Sequence, residues 1–237
     1  GAETVVFDAL AGLGSKVERH PVVTGAMRLP PGRAPDLDAG RLQDRAIIQD
    51  LASQCAGLVC APQPDERWWD ACAGAGGKTL HLLDLMGASG KILATDVRGN
   101  ALEELRRRLP RSAYDRAQIR TWNGFEESPP DTGFDGVLVD APCSGIGTWH
   151  RNPDARWRLP EDEPERMAIL QQRLLKTCGK TVRKGGALVY VTCTLTRAEN
   201  ENVVADFLRA SPEFELEPVT HPLYGRPISG AFRIWPW

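Results

Sequence analysis

Residues Arg67–Thr79 read "RWWDACAGAGGKT". An apolar run closes on Asp70, a Gly/Ala loop follows, and "KTLHLLDLM" (Lys78–Met86) then repeats apolar residues at helical spacing. That is a strand, a tight loop and a helix, the opening unit of an open α/β sheet. Downstream the alternation continues. "KILATD", "AQIRTW", "FDGVLVD" and "GGALVYVT" predict strands two to five, and "EFELEPV" a sixth. "NALEELRRRL", a long segment from Pro164 to Thr181, and "AENENVVADFLRA" predict helices between them. Alternating strands and helices predict a doubly wound, mostly parallel, Rossmann-like sheet. Upstream, "RAIIQDLASQCAGLVC" predicts a helix from Ala46 to Val59, and residues 1–45 are Pro- and Gly-rich, with a short helix expected over 3–11. The expected domains are an N-terminal extension over 1–60 and a catalytic domain over 61–237.

The 237 residues are 42% hydrophobic and 25% charged, enough for one sizeable soluble domain. A net charge of −2 argues against a global polycation but leaves room for a local basic face. No apolar run is long enough to span a bilayer, and "GAETVVFDAL" lacks the pattern of a secretory leader, so a cytoplasmic setting is expected. None of the six cysteines forms a C-x-x-C pair, which disfavours a zinc ribbon or redox motif, and no metal site is expected. Cys55, Cys60 and Cys178 read as small buried hydrophobes.

Ligands of such sheets bind beyond the carboxyl ends of the strands, so those ends carry the chemistry. A P-loop needs glycine where Cys72 stands. A dinucleotide fingerprint starting at Gly74 and Gly76 meets Thr79 in place of its third glycine. An S-adenosylmethionine loop fits better: Asp70 ends the strand, and Gly74, Gly76 and Gly77 allow close backbone approach. Asp96, about 20 residues on at the next strand end, can accept both hydroxyls of a ribose. Asn123 and Asp140 follow on the next two strands as candidate contacts to the adenine and methionine sides.

Two strands also end in cysteine, Cys143 in "DAPCSG" and Cys193 in "TCTLTRAENE". Carbon 5 of cytosine is a poor nucleophile. A thiolate added at carbon 6 makes it electron-rich enough to attack a sulfonium methyl group. A thiol is mostly protonated at neutral pH, so its site must lower its pKa, and Lys78 is a candidate source of that field.

These residues resemble the Nol/Nop/Sun family of RNA cytosine-5 methyltransferases. "CAGAGGKT", "DAPCSG", "RNPDARW", "TCT…ENE" and "LQDRAIIQDLASQ" are each similar to one of its motifs, over roughly residues 40 to 237. The resemblance implies a class I S-adenosylmethionine-dependent methyltransferase fold and RNA as partner, ribosomal RNA ahead of transfer RNA, with the chain acting as a monomer. It implies Cys193 as nucleophile, Cys143 as the product-release group and Asp140 as a contact to the base. It implies cofactor contacts from Cys72, Ala73, Gly74, Ala75, Gly76, Gly77, Lys78, Asp96, Asn123 and Asp140. Gly74 and Ala75 stand where the family writes Ala-Pro, Asn123 where aspartate is common, and "RIWPW" where a further strand is expected.

Two other functions share these features. A DNA cytosine-5 methyltransferase would use Cys143 as nucleophile and leave Cys193 idle. An RNA-binding assembly factor would keep the glycine loop without catalysis. A nicotinamide dehydrogenase is more distant, because no acid–base pair for one is evident. "LRRRLPR" (Leu105–Arg111) reads as the solvated face of a helix, whereas "WHRNPDARWR" (Trp149–Arg158) mixes Trp149 and Trp157 with arginines that suit RNA. Core packing is an equal reading of Trp157, and Trp68 and Trp69 are assigned to packing.

Overall fold

The computed structural model describes residues 2–12, 16–30, 35–37, 42, 45–124 and 127–234. Trp235–Trp237 of "RIWPW" lie outside them, as do parts of the Pro/Gly-rich stretch. The elements run α1 (Ala2–Gly12), β1 (Glu18–Arg19), β2 (Met27–Arg28), α2 (Leu51–Cys60), β3 (Arg67–Asp70), α3 (Gly77–Leu85), β4 (Lys91–Asp96) and α4 (Gly99–Arg108). They continue with β5 (Ala117–Thr121), β6 (Phe134–Asp140), α5 (Ala155–Arg158), α6 (Glu163–Gly179), β7 (Val182–Val191), α7 (Glu201–Ala210), β8 (Val219–Thr220) and β9 (Pro227–Ile228).

Five strands form one sheet in the order β5-β4-β3-β6-β7, and every neighbouring pair is parallel. The chain starts in the middle, steps to one edge, returns and steps to the other. That is double winding, and it puts a crevice above β3 and β6 where the direction reverses. Alternation along β3 sends adjacent tryptophans to opposite faces. Trp68 joins Leu80, Leu83, Leu102 and Leu105 of α3 and α4, while Trp69 joins Leu174, Leu175, Val203 and Phe207 of α6 and α7. Both are buried, as the sequence predicts.

Two expected elements differ. The helix expected from Ala46 starts at Leu51, because Asp50 caps it by accepting the Ala52 N–H at 2.9 Å, and Ile47 and Ile48 before the cap are exposed. "EFELEPV" adds no sixth strand to the sheet. Phe214 packs on Phe207, Leu216 is exposed, and Val219–Thr220 pairs instead with Pro227–Ile228 in a two-stranded antiparallel ribbon. The expected N-terminal helix forms over Ala2–Gly12.

Candidate active site

The five parallel strands end at Asp70, Asp96, Thr121, Asp140 and Val191, all along one edge of the sheet. The glycine loop leaves β3 there. Gly74 and Gly76 have φ of 55° and 83°, which side chains rarely adopt, and a Cβ on Gly76 would run into Leu105 of α4. Asp96 closes over the loop: its carboxylate accepts the Gly74 N–H at 2.8 Å, the Arg98 N–H at 2.8 Å and the Arg98 guanidinium at 3.0 and 3.1 Å. Burial raises this carboxyl, but the Arg98 and Gly74 donors outweigh it and hold the pKa below the ordinary value. A carboxylate kept ionised beside a backbone cradle has the chemistry to receive a ribose diol, so these residues fit an adenosyl cofactor. Asn123 follows β5 on the same edge, its N–H donating to the Glu127 carboxylate at 3.3 Å.

Beneath the loop Asp70 is fully buried. One oxygen accepts the Thr79 hydroxyl at 2.7 Å. Burial, only partly offset by Thr79, pushes its pKa up to about 7. Cys72 is likewise raised by burial, then by Cys178 and the carboxylates around it, so its thiol is held protonated. Cys55, Cys60 and Cys178 are buried thiols raised chiefly by desolvation, matching their expected packing role.

Lys78 is the second residue of α3, where a cation opposes the helix dipole, so helix stability does not account for it. Its ammonium donates to Asp140 at 2.7 Å, joining the glycine loop to the end of β6. Next along the chain, Cys143 and Cys193 stand on loops from adjacent strands with sulfur atoms 3.2 Å apart, and the Cys193 N–H points at the Cys143 sulfur at 3.3 Å. The hydrogen bond from the Cys143 thiol lowers the pKa of Cys193, against burial and Asp140 and with help from Lys78. The same bond, then burial, raises Cys143. Cys193 is the exposed member. The pair therefore joins an accessible thiol whose ionisation is favoured to a neighbouring thiol whose ionisation is disfavoured.

A polar cluster lies under the pair. Glu199 is fully buried and accepts the Ser144 N–H at 2.7 Å, the Ser144 hydroxyl at 2.5 Å, the Thr196 hydroxyl at 3.0 Å and the Gln171 amide at 3.1 Å. Gln171 also donates to the Pro142 carbonyl at 2.9 Å, and Ser144 and Thr194 share a hydroxyl contact at 2.9 Å. The Gly147 N–H donates to the Cys193 carbonyl at 3.0 Å. Glu199, Ser144, Thr196, Gln171 and Arg98 are absent from the sequence-predicted set. Ser144 lies in "DAPCSG" and Thr196 and Glu199 in "TCTLTRAENE", but neither motif assigns them a role, and Gln171 and Arg98 fall in no quoted motif.

The segment after Cys143 runs over this edge. Arg151 pairs with Asp50 at 2.7 Å, tying it to the start of α2. Trp157 is 77% exposed, which rules out core packing, and the Arg156 guanidinium lies 4.3 Å from its ring centre. By contrast Arg106 and Arg107 pair with Glu103 and Glu104, as a solvated helix face does. Arg108 reaches the Ala75 carbonyl at 2.7 Å and braces the glycine loop from behind.

A doubly wound parallel sheet with a glycine cradle, a ribose-type carboxylate and reactive groups on one edge defines the class I, Rossmann-like methyltransferase fold. Solved structures agree. The chain superposes on PH0851 with a TM-score of 0.88 at 32% identity, covering 98% of this chain and 54% of that one. It superposes on the NSun6 protein of Pyrococcus horikoshii, solved with the S-adenosylmethionine analogue SFG, with a TM-score of 0.67 at 28% identity, covering 78% and 47%. The family model for 16S rRNA methyltransferase RsmB/F matches residues 57–236, and the chain belongs to that family. It is 41% identical over 175 residues to a probable ribosomal RNA small subunit methyltransferase B of Synechocystis, covering 72% of this chain and 39% of the relative. It is 32% identical over 212 residues to the Bacillus subtilis protein of the same description, covering 89% and 47%. The chain thus spans less than half the length of these curated relatives.

Proposed function

We propose that this chain transfers a methyl group from S-adenosylmethionine to carbon 5 of a cytosine in RNA, ribosomal RNA ahead of transfer RNA, acting as a monomer in the cytoplasm. The observation that carries the proposal is the thiol pair, 3.2 Å between sulfurs, with Cys193 lowered and Cys143 raised in pKa. Family membership and the absence of any membrane-crossing helix among the described residues are consistent with it.

Residues Cys72 through Lys78, with Asp96, Asn123 and Asp140, would hold the cofactor, which when bound supplies an electrophilic methyl group. Asp140 contacts the base. The Cys193 thiolate adds to carbon 6, and the electron pair of the C5=C6 bond moves to make carbon 5 the nucleophile. Carbon 5 takes the methyl group while the sulfur–methyl bond pair stays on the departing thioether, and carbon 5 then gives its proton to a solvent water acting as base. The C–H pair re-forms C5=C6 and expels Cys193 as thiolate, while Cys143 assists this release. The cytosine must leave its stack for both faces to be reached, at a few kcal/mol in a duplex and less in a loop.

Separate substitutions test the assignment. Incubated with S-adenosylmethionine and substrate RNA, Cys143→Ala should accumulate a covalent protein–RNA adduct on denaturing gels, and Cys193→Ala should form none. The reverse pattern would assign the nucleophile to Cys143 and point to the DNA-type mechanism. No cofactor binding at millimolar S-adenosylmethionine would favour a catalytically silent assembly factor.

A further inference from the structure

We propose that Glu199 is the positioning residue of the thiol pair, setting Cys143 and Cys193 at their working separation. The inference rests on the assignment of those two cysteines above. A sulfur–sulfur hydrogen bond is weak and soft and cannot by itself fix two loops. The oxygen network can. The two oxygens of Glu199 take four donors, which fills the acceptor capacity of a carboxylate. Those donors come from three segments: Ser144 beside Cys143, Thr196 three residues past Cys193, and Gln171 of α6.

Cys143 is gripped on both sides. Pro142 before it is held through Gln171, and Ser144 after it is held by Glu199 directly. On the other strand Thr194, next to Cys193, meets the Ser144 hydroxyl, and Tyr190 of β7 donates to the Glu199 carbonyl at 2.7 Å. Among the described residues no Lys or Arg pairs with this buried carboxylate, so the hydrogen bonds alone compensate its burial. Glutamine has nearly the same shape but turns one acceptor oxygen into an amino group facing donors. Glu199→Gln should therefore loosen the two loops without emptying the space.

The test uses the full chain with Glu199→Gln, at conditions where circular dichroism shows it folded. Two readouts separate positioning from plain stability: the pH profile of Cys193 alkylation by iodoacetamide, followed by peptide mass spectrometry, and the ratio of RNA adduct to methylated product. Expected is an alkylation profile moved to higher pH, with the rate at pH 7 roughly threefold to tenfold lower. The adduct ratio should also rise toward that of Cys143→Ala, while S-adenosylmethionine affinity stays within about twofold. A folded variant with the wild-type profile and wild-type adduct ratio would overturn the proposal. Should Glu199→Gln fail to fold, Ser144→Ala removes one donor and is read the same way, an unchanged profile again counting against the clamp. If adduct persists in Cys193→Ala, the nucleophile assignment has failed, yet the alkylation profile still judges the clamp because it needs neither RNA nor cofactor.

Discussion

Asp70 shows how one buried carboxyl shapes the stability of the chain. Its pKa is about 7 when folded, against roughly 3.9 for an exposed aspartate. Between those values the folded chain binds the proton and the unfolded chain releases it. The contribution is therefore full below about pH 4 and declines as pH rises toward 7, by up to about 1.4 kcal/mol per pH unit. Asp70→Asn keeps an oxygen for the Thr79 hydroxyl and removes the titration. Urea denaturation from pH 5 to 8 should show a flatter dependence in the variant, with a gain in stability at the alkaline end. An identical slope in both proteins would mean that Asp70 does not titrate there. Arg98 acts in the opposite sense on Asp96, favouring its charged form beside the glycine loop.

At the scale of elements the two cysteine loops behave as one unit, and Gly147 shows why. A Cβ at this position would come 2.7 Å from the Cys193 carbonyl oxygen, a backbone atom that cannot swing aside. Gly147→Ala should lower stability by about 1–3 kcal/mol in thermal denaturation and slow methyl transfer. S-adenosylmethionine affinity should stay unchanged, since the glycine loop proposed to hold it lies between β3 and α3. Much of this arrangement was legible beforehand. The apolar runs leading to Asp70, Asp96, Asp140 and Cys193 marked the strands and the edge on which they end, because parallel strands buried on both faces need continuous apolar stretches. The first miss came from local capping: apolar spacing runs through Ile47 and Ile48, but the Asp50 side chain ends the helix there. The second came from alternation without a partner, since "EFELEPV" has a strand-like pattern that Phe214 spends on α7. Glu199 was illegible for another reason. In a linear reading a charge before a helix is solvated, and only the fold brings Ser144 and Gln171 to it.

Over the whole molecule, net charge says little about RNA, whereas the placement of one exposed aromatic says more. Trp157 and its stacked Arg156 stand on the connection that also carries Cys143, on the edge where the strands end. Trp157→Ala should leave stability within about 0.5 kcal/mol, because little is buried. It should weaken binding of a single-stranded RNA by an amount typical of one lost stack, about 1–3 kcal/mol in fluorescence anisotropy, with cofactor affinity unchanged. The thiol pair carries a last implication for the life of the chain. Cys193 owes its acidity chiefly to a donor delivered by the neighbouring strand. Before β6 and β7 dock, during synthesis or after unfolding, Cys193 is an ordinary thiol. The lowered pKa is thus a product of completed folding, and a nascent or damaged copy carries two separate cysteines rather than the hydrogen-bonded pair.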